Sequence, residues 1–294
     1  MSTKPNFIIY APPYKDDSGG IIVLHKLCHL LNEMGHQAYL WPNQLGVRPN
    51  LRKKIKNYLK RPSFITHPDY RTPIADRSVL TEKSIVVYSE VDYGNPLGAK
   101  NVIRWLLHKP GFHTGVTNFG KEELFFYFSE YFIDPAFNID SANKMFVLSL
   151  NPAYTVGGSE ERSGSCYLMR KGKGRTLIHD LSDSVQIDGL NHQETADIFR
   201  KSKYFYSYDE VTLYSQYAAM CGCISVVIPE NYGSRADYVK KNPTAKNGIA
   251  YGLDDIDHAI KTQNKVAEYF GDLERESRES VARFAAVAQR HFGL

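Results

Sequence analysis

The first patterned stretch of the chain, Asn6–Ala11 (N-F-I-I-Y-A), is a short and nearly continuous apolar run. Such a run suits a strand buried on both faces of a parallel sheet. Pro12 and Pro13 end it, and a polar loop leads to Ser18-Gly19-Gly20. From Ile21 to Met34 the apolar positions Ile21, Leu24, Leu27, Cys28, Leu31 and Met34 keep close to helical spacing. Gly35 then stands where a left-handed residue commonly ends a helix. Gln37–Trp41 reads as the next strand. Strand, glycine loop, helix and strand make a βαβ unit, and that unit predicts a parallel sheet.

The pattern thins from Pro42 to Leu80, where it predicts loops, one basic helix and room for a short strand. Ser84–Val91 reads as a strand, Asp92–Gly98 as a turn-rich loop, and Ala99 to His108 as a helix stopped by Pro110-Gly111. Glu122–Phe132 is dense in aromatic residues and fits strand or helix equally. Around Asn151–Ser165, Gly, Pro, Ser, Thr and charge displace the apolar runs, as in a linker. A second α/β series follows. Its strands are predicted at Ser165–Arg170, Ser184–Ile187, Tyr204–Tyr208 and Ile224–Ile228, and its helices at His192–Lys201 and Thr212–Cys221. Leu273–His291 is a charged amphipathic helix whose apolar positions include Val281, Phe284, Ala285 and Ala288. The expected fold class is therefore α/β, with two Rossmann-like domains built on parallel sheets, covering 1–150 and 151–272.

The 294 residues are 43% apolar and 23% charged, which suits a globular protein and argues against disorder. A net charge of +4 is milder than a dedicated nucleic-acid binder shows, so nucleic acid is not an expected partner. The basic stretch Leu51–Arg61 is the local exception. It reads as a solvated face, or as a site for an anionic acceptor or an anionic membrane surface. Cys28, Cys166, Cys221 and Cys223 lack C-x-x-C spacing and are expected as reduced core thiols. No run approaches the roughly 18 apolar residues of a membrane span, and no signal peptide opens the chain. A cytoplasmic location follows by default, with peripheral contact at the inner face of the membrane left open.

Ligands of parallel sheets sit where loops leave the carboxyl ends of strands, so candidate chemistry falls after Tyr10, Glu90, Arg170 and Tyr208. Ser18, Gly19 and Gly20 let a backbone pass close to a ligand and aim helix N–H groups at an anion. A plain βα turn would use the same glycines. After the next strand, Glu90 or Asp92 is a candidate general base and Asn95 a candidate orienting group. Arg170, Lys171, Lys173 and Arg175, spaced by glycines, offer cations for a diphosphate, or form a solvated basic loop. Tyr208, Asp209, Glu210 and Thr212 end a strand and open a helix; the acids suit ribose hydroxyls and Thr212 a phosphate, or they cap the helix. His113 and His179 fall in loops and are candidates to touch substrate. Asp255-Ile256-Asp257 precedes a helix and reads as a cap rather than a metal site.

With these parts in order, the chain resembles glycosyltransferases of the GT-B fold, in the style of the retaining family 4 group. The likeness rests on Ser18-Gly19-Gly20 with its helix and Gly35-His36. It rests also on Asp188-Gly189 before a helix, and on Asp209-Glu210-Val211-Thr212 leading to Ala218-Ala219-Met220-Cys221-Gly222. Asn95-Pro96-Leu97-Gly98 with the stretch Val102–Gly111 is similar to bacterial surface-polysaccharide transferases. One departure is plain: the family's second glutamate falls near Gln216 or Tyr217. The resemblance implies a central cleft between the domains. It puts the acceptor on the 1–150 side near Ser18, Gly19, Gly20, Glu90 and Asn95. It puts the nucleotide-sugar donor on 151–272, with Arg170, Lys171, Lys173 and Thr212 at its phosphates. It also implies a helix over 273–294 that returns to the first domain. A glycan or lipid-linked acceptor, no cofactor and no metal follow from the same likeness, the nucleotide-sugar being a substrate. A non-catalytic nucleotide-sugar binder and a sugar-nucleotide epimerase remain the alternatives.

Overall fold

Two parallel sheets of five strands organise the chain. The computed structural model describes residues 5–16, 18–43, 63–137, 139–148, 150–155, 157 and 161–294. The basic stretch 51–61, with the helix expected there, lies outside the described residues. The chain divides into two units, one of residues 1–149 with 273–294 and one of residues 150–272.

The first unit contains β1 (Asn6–Ala11), α1 (Gly19–Glu33), β2 (Gln37–Pro42), β3 (Ile85–Ser89), β4 (Asn101–Leu106) and β5 (Leu124–Tyr127). Its strands lie in the order β2-β1-β3-β4-β5, with every pairing parallel. Helix α1 begins at Gly19, two residues before the first position of its apolar stripe, and Ser18 at its N-cap makes no side-chain cap bond. Its end follows from Gly35, whose φ of 80° lets the His36 N–H turn back to the Leu31 carbonyl. Asn32 fastens the helix to β2: its amide donates to the carbonyls of Cys28 and Ala38 and accepts from the Ala38 N–H.

One face of the sheet buries Phe7 and Ile9 of β1 with Leu24, Leu27 and Leu31 of α1. The same core takes Val281, Phe284, Ala285 and Ala288 from the last helix of the chain (Lys265–Phe292). Ser277 and Ser280 of that helix accept the N–H groups of Leu148 and Phe146, so its later turns also satisfy the backbone of a segment outside the sheet. The helix starts eight residues earlier than the Leu273–His291 pattern indicates.

The expected helix at 99–108 is a strand instead. All six residues of β4 are buried, and β4 pairs on both sides, with β3 and β5. A short unbroken apolar run is common to buried strands and buried helices, and its neighbours in the sheet decide between them. Glu122–Phe132 resolves into β5 followed by a single 3-10 turn at Glu130–Phe132.

The second unit holds β6 (Ser163–Leu168), β7 (Ser184–Gln186), α2 (His192–Lys201), β8 (Ser202–Ser207), α3 (Tyr214–Met220) and β9 (Ile224–Val227). It continues with α4 (Arg235–Lys241), β10 (Ile249–Tyr251) and α5 (Ile256–Thr262); the Lys265–Phe292 helix, already described, is α6. Its sheet order, β7-β6-β8-β9-β10, repeats that of the first unit: second strand, first, third, fourth, fifth. Helix α2 starts with a capping box, in which the Asn191 side chain takes the Glu194 N–H and Glu194 takes the Asn191 N–H. All four cysteines are buried free thiols. Asp255, expected as a helix cap, bonds instead to Arg235 (2.7 Å) and to the Tyr251 N–H (2.9 Å), tying α4 and β10 to α5. Among the described residues no helix is long and apolar enough to cross a membrane.

Candidate functional site

In each sheet the chain steps from its first strand to one side and later returns to the other side. The crevice at the carboxyl ends of those two neighbours is the position where open α/β sheets bind ligands. In the first unit the neighbours are β1 and β3; in the second they are β6 and β8.

At the first switch point lies a pocket of about 470 Å³, a size typical of small-molecule sites. Ser18, Gly19 and Gly20 line it at the start of α1, where Ser18 makes no side-chain cap bond. Glu90 and Asp92 enter from the end of β3, and His108 and His113 from the loop after β4. Glu90 is only 5% exposed, and its Oε2 accepts the Leu107 N–H at 2.9 Å. Burial is the main cause that raises its carboxyl from the ordinary 4.5 to about 7, with a further push from Asp92 and hydrogen bonds pulling the other way. Burial likewise lifts Asp92 to about 6, against hydrogen bonds from the Ser89 N–H and hydroxyl; Asn43 also donates to it, at 3.1 Å. Burial, then His113, lowers the His108 pKa, which favours a neutral imidazole. The site therefore holds two carboxyl groups that titrate near neutrality beside a helix start.

The loop carrying these acids is held by a residue that the sequence pattern assigned to a helix. Arg104 of β4 is fully buried. Its guanidinium donates to the carbonyls of Ser89 (3.0 Å), Asp92 (2.8 Å) and Gly94 (2.8 Å) and forms a two-point pair with Glu123 (2.8 and 3.0 Å). All the N–H groups of the fork are used. Asn95 takes a different place from its expected orienting role. Its amide joins Tyr88 and Ala99 to close the 95–99 turn, and it does not line the pocket.

At the second switch point stand the turn after β6 and the loop after β8, which carry the residues expected at a donor. Arg170 opens a short 3-10 turn with φ of 38°, the sole non-glycine with positive φ among the described residues. Such a conformation costs about 1–3 kcal/mol and persists only where the surroundings impose it. Asp188 does so here, accepting the Met169 and Arg170 N–H groups at 2.9 and 2.8 Å. Although burial pushes the Asp188 carboxyl upward, these bonds hold it below its ordinary value. The Arg170 guanidinium then lies exposed, 5.7 Å from the centre of the Tyr214 ring. Lys171 and Lys173 are exposed on the same turn, with Lys171 reaching the Val211 carbonyl at 3.3 Å.

Three expected ligands are occupied internally. Arg175 donates to the carbonyls of Tyr208, Ile228 and Pro229, riveting the loop to the strand ends. Tyr208 is buried, and its hydroxyl bonds to His179 and accepts the Ile178 N–H, which also places His179 in the core. Glu210, expected near a ribose, clamps the 230–231 backbone, the Asn231 amide and the Tyr251 hydroxyl. Burial raises its pKa, but those bonds outweigh burial and lower it overall. Asp209 differs. It is 2% exposed, its Oδ1 accepts the Val211 N–H, and its Oδ2 has no hydrogen-bond partner among the described residues. Thr212 accepts the Tyr214 N–H at 3.3 Å and so serves as a local cap.

The fold is that of an α/β protein with two parallel, Rossmann-like five-stranded sheets of the same strand order. No protein-family model matches the chain, and no curated protein matches it. Among solved structures the chain is similar to the glycotransferase of kitacinnamycin, at 12% identity and a TM-score of 0.45 over 99% of this chain and 100% of that one. It is similar also to the glycosyltransferase SnogD from Streptomyces nogalater, at 12% identity and a TM-score of 0.45 over 97% and 100%. A third likeness is to a Listeria monocytogenes protein described as a UDP-N-acetylglucosamine 2-epimerase candidate, at 10% identity and a TM-score of 0.42 over 99% and 97%.

Proposed function

We propose that this protein is a glycosyltransferase that moves a sugar from a nucleotide-linked donor to a hydroxyl-bearing glycan or lipid-linked acceptor, without a bound metal. The observation that supports it most is the pairing of chemistry at equivalent places in the two sheets. One switch point carries a buried carboxyl poised near neutrality; the other carries exposed cations on a held turn. In this reading an acceptor oxygen bonds to the sugar's anomeric carbon as the bond from that carbon to the diphosphate breaks. Where the configuration inverts, Glu90 takes the hydroxyl proton, and where it is retained Glu90 positions the acceptor; Arg170, Lys171 and Lys173 offset the charge gathering on the departing diphosphate.

The first test is the melting temperature of the full chain with UDP, GDP, dTDP, CMP or ADP, each with and without Mg²⁺. Ligand at about 100 times its dissociation constant stabilises by roughly 2.7 kcal/mol, a rise of about 5–10 °C. One nucleotide is expected to give that rise whether or not magnesium is present. No rise with any of them would sink the proposal, and sugar-nucleotide turnover without an acceptor would redirect it to an epimerase.

A second expectation separates binding from stability. Arg170→Gly removes the guanidinium but supplies the residue best suited to positive φ. Nucleotide affinity should fall by about 1.5–3 kcal/mol, the worth of charged hydrogen bonds, while the melting temperature holds or rises. Parental affinity would remove Arg170 from the donor site.

A further inference from the structure

The first pocket carries a feature that proton transfer alone does not need. Around the loop after β4, four aromatic rings pack on one another. His108 stacks on Phe132 (centroids 5.0 Å apart, 24° between planes) and contacts Phe112 at 4.3 Å and His113 at 4.8 Å. Phe112 meets His113 edge-on at 5.0 Å. His108 and His113 line the pocket that Glu90 enters, while the Phe112 ring stands 68% exposed beside them. The rings thus support one another at the margin of a polar pocket, with the exposed Phe112 ring 36° from His108 and perpendicular to His113. The same pocket is lined by the Glu90 and Asp92 carboxyls and by Gly19 and Gly20 at the start of α1.

A sugar ring has the complementary surface. One of its faces is a sheet of C–H groups that packs against aromatic rings, and its rim carries hydroxyls that both donate and accept hydrogen bonds. A phosphate placed here would instead confront Glu90 and Asp92, and the described lining residues include no Lys or Arg. Resting on the transferase reading, we propose that this pocket takes the acceptor as an unphosphorylated sugar ring, with its C–H face against Phe112, His113 at its edge and its hydroxyls toward Glu90. The aromatic loop then fixes which hydroxyl meets the base.

The test titrates the full chain, without nucleotide, with methyl glycosides of glucose, galactose, mannose and N-acetylglucosamine and with the matching 6-phosphates. Saturation-transfer NMR and calorimetry at pH 8 read the binding. At least one methyl glycoside is expected to bind, with saturation concentrated on the protons of one ring face. Its 6-phosphate should bind about tenfold more weakly or worse, because two carboxylates face it. Phe112→Ala, an exposed position whose loss leaves the core intact, should weaken the glycoside about tenfold, and His113→Ala similarly. The proposal is overturned if no glycoside binds, if the phosphates bind more tightly, or if both variants bind as the parent does. Nucleotide-induced melting shifts are read separately. A nucleotide response without sugar binding removes this subsite and leaves the transferase reading standing. Sugar binding without a nucleotide response does the reverse.

Discussion

Glu90→Gln is expected to lower turnover about a hundredfold or more while nucleotide affinity stays at its parental value, since the substitution removes a proton acceptor and little else. Gln keeps an oxygen for the Leu107 N–H and nearly the same volume, so the loop after β3 has no reason to move. In the parent, a carboxyl raised to about 7 should give kcat/KM a rising limb near that pH, absent in the variant. Stability should move the opposite way. The folded state holds the Glu90 proton more tightly than the unfolded chain does, so this contribution is full below pH 4.5 and lost as pH rises through about 7. Its size is about 3 kcal/mol. Gln cannot ionise, and the variant should therefore melt above the parent at pH 8 and close to it at pH 4.5. Full activity in the variant would take Glu90 out of the chemistry. A parent-to-variant melting difference that ignores pH would show that the carboxyl is not held protonated.

That pairing of weak fold and strong chemistry at one residue bears on what the sequence disclosed. The strands at Asn6–Ala11 and Ile224–Val227 and the helix at His192–Lys201 were legible because their signals are local: apolar runs between turn residues, and an acid and amide at a helix start. The switch-point loops were legible for the same reason, since strand ends and glycines mark them along the chain. What was not legible depends on residues far apart in sequence. Ala99–His108 carries an apolar run with an arginine inside it, which a helix would place on its solvated face. In the sheet that arginine finds Glu123, 19 positions on, and three carbonyls from the preceding loop. Glu210 looked like a ribose ligand because its acid follows a strand; the 230–231 backbone that consumes it is twenty residues away. Arg170 and Arg175 are indistinguishable as cations in a glycine-rich loop. The carbonyls of Tyr208, Ile228 and Pro229 and the Glu230 carboxylate turn Arg175 inward, while the Asp188 carboxylate holds the Arg170 backbone in its turn.

Arg104→Met should cost about 3–5 kcal/mol, the usual loss when one partner of a buried ion pair is removed, and lower the melting temperature by roughly 10 °C. The cost arises on both sides. Glu123, itself buried, keeps its carboxyl without the fork that neutralised it, and the carbonyls of Ser89, Asp92 and Gly94 lose their donors. Arg104→Lys should recover only part of this, because one ammonium group cannot span three carbonyls and a carboxylate in the plane of a fork. Replacing both partners, as Arg104→Met with Glu123→Met, should recover the charge penalty but not the three carbonyls, leaving the double variant between the single variant and the parent. Turnover should fall in the same order, since those carbonyls belong to the loop that positions Glu90 and Asp92. If Arg104→Met melts within about 2 °C of the parent, the loop is held by something other than this guanidinium. If stability falls but the pH limb near 7 keeps its position and height, the pair serves the fold of the first unit and not the setting of its acids.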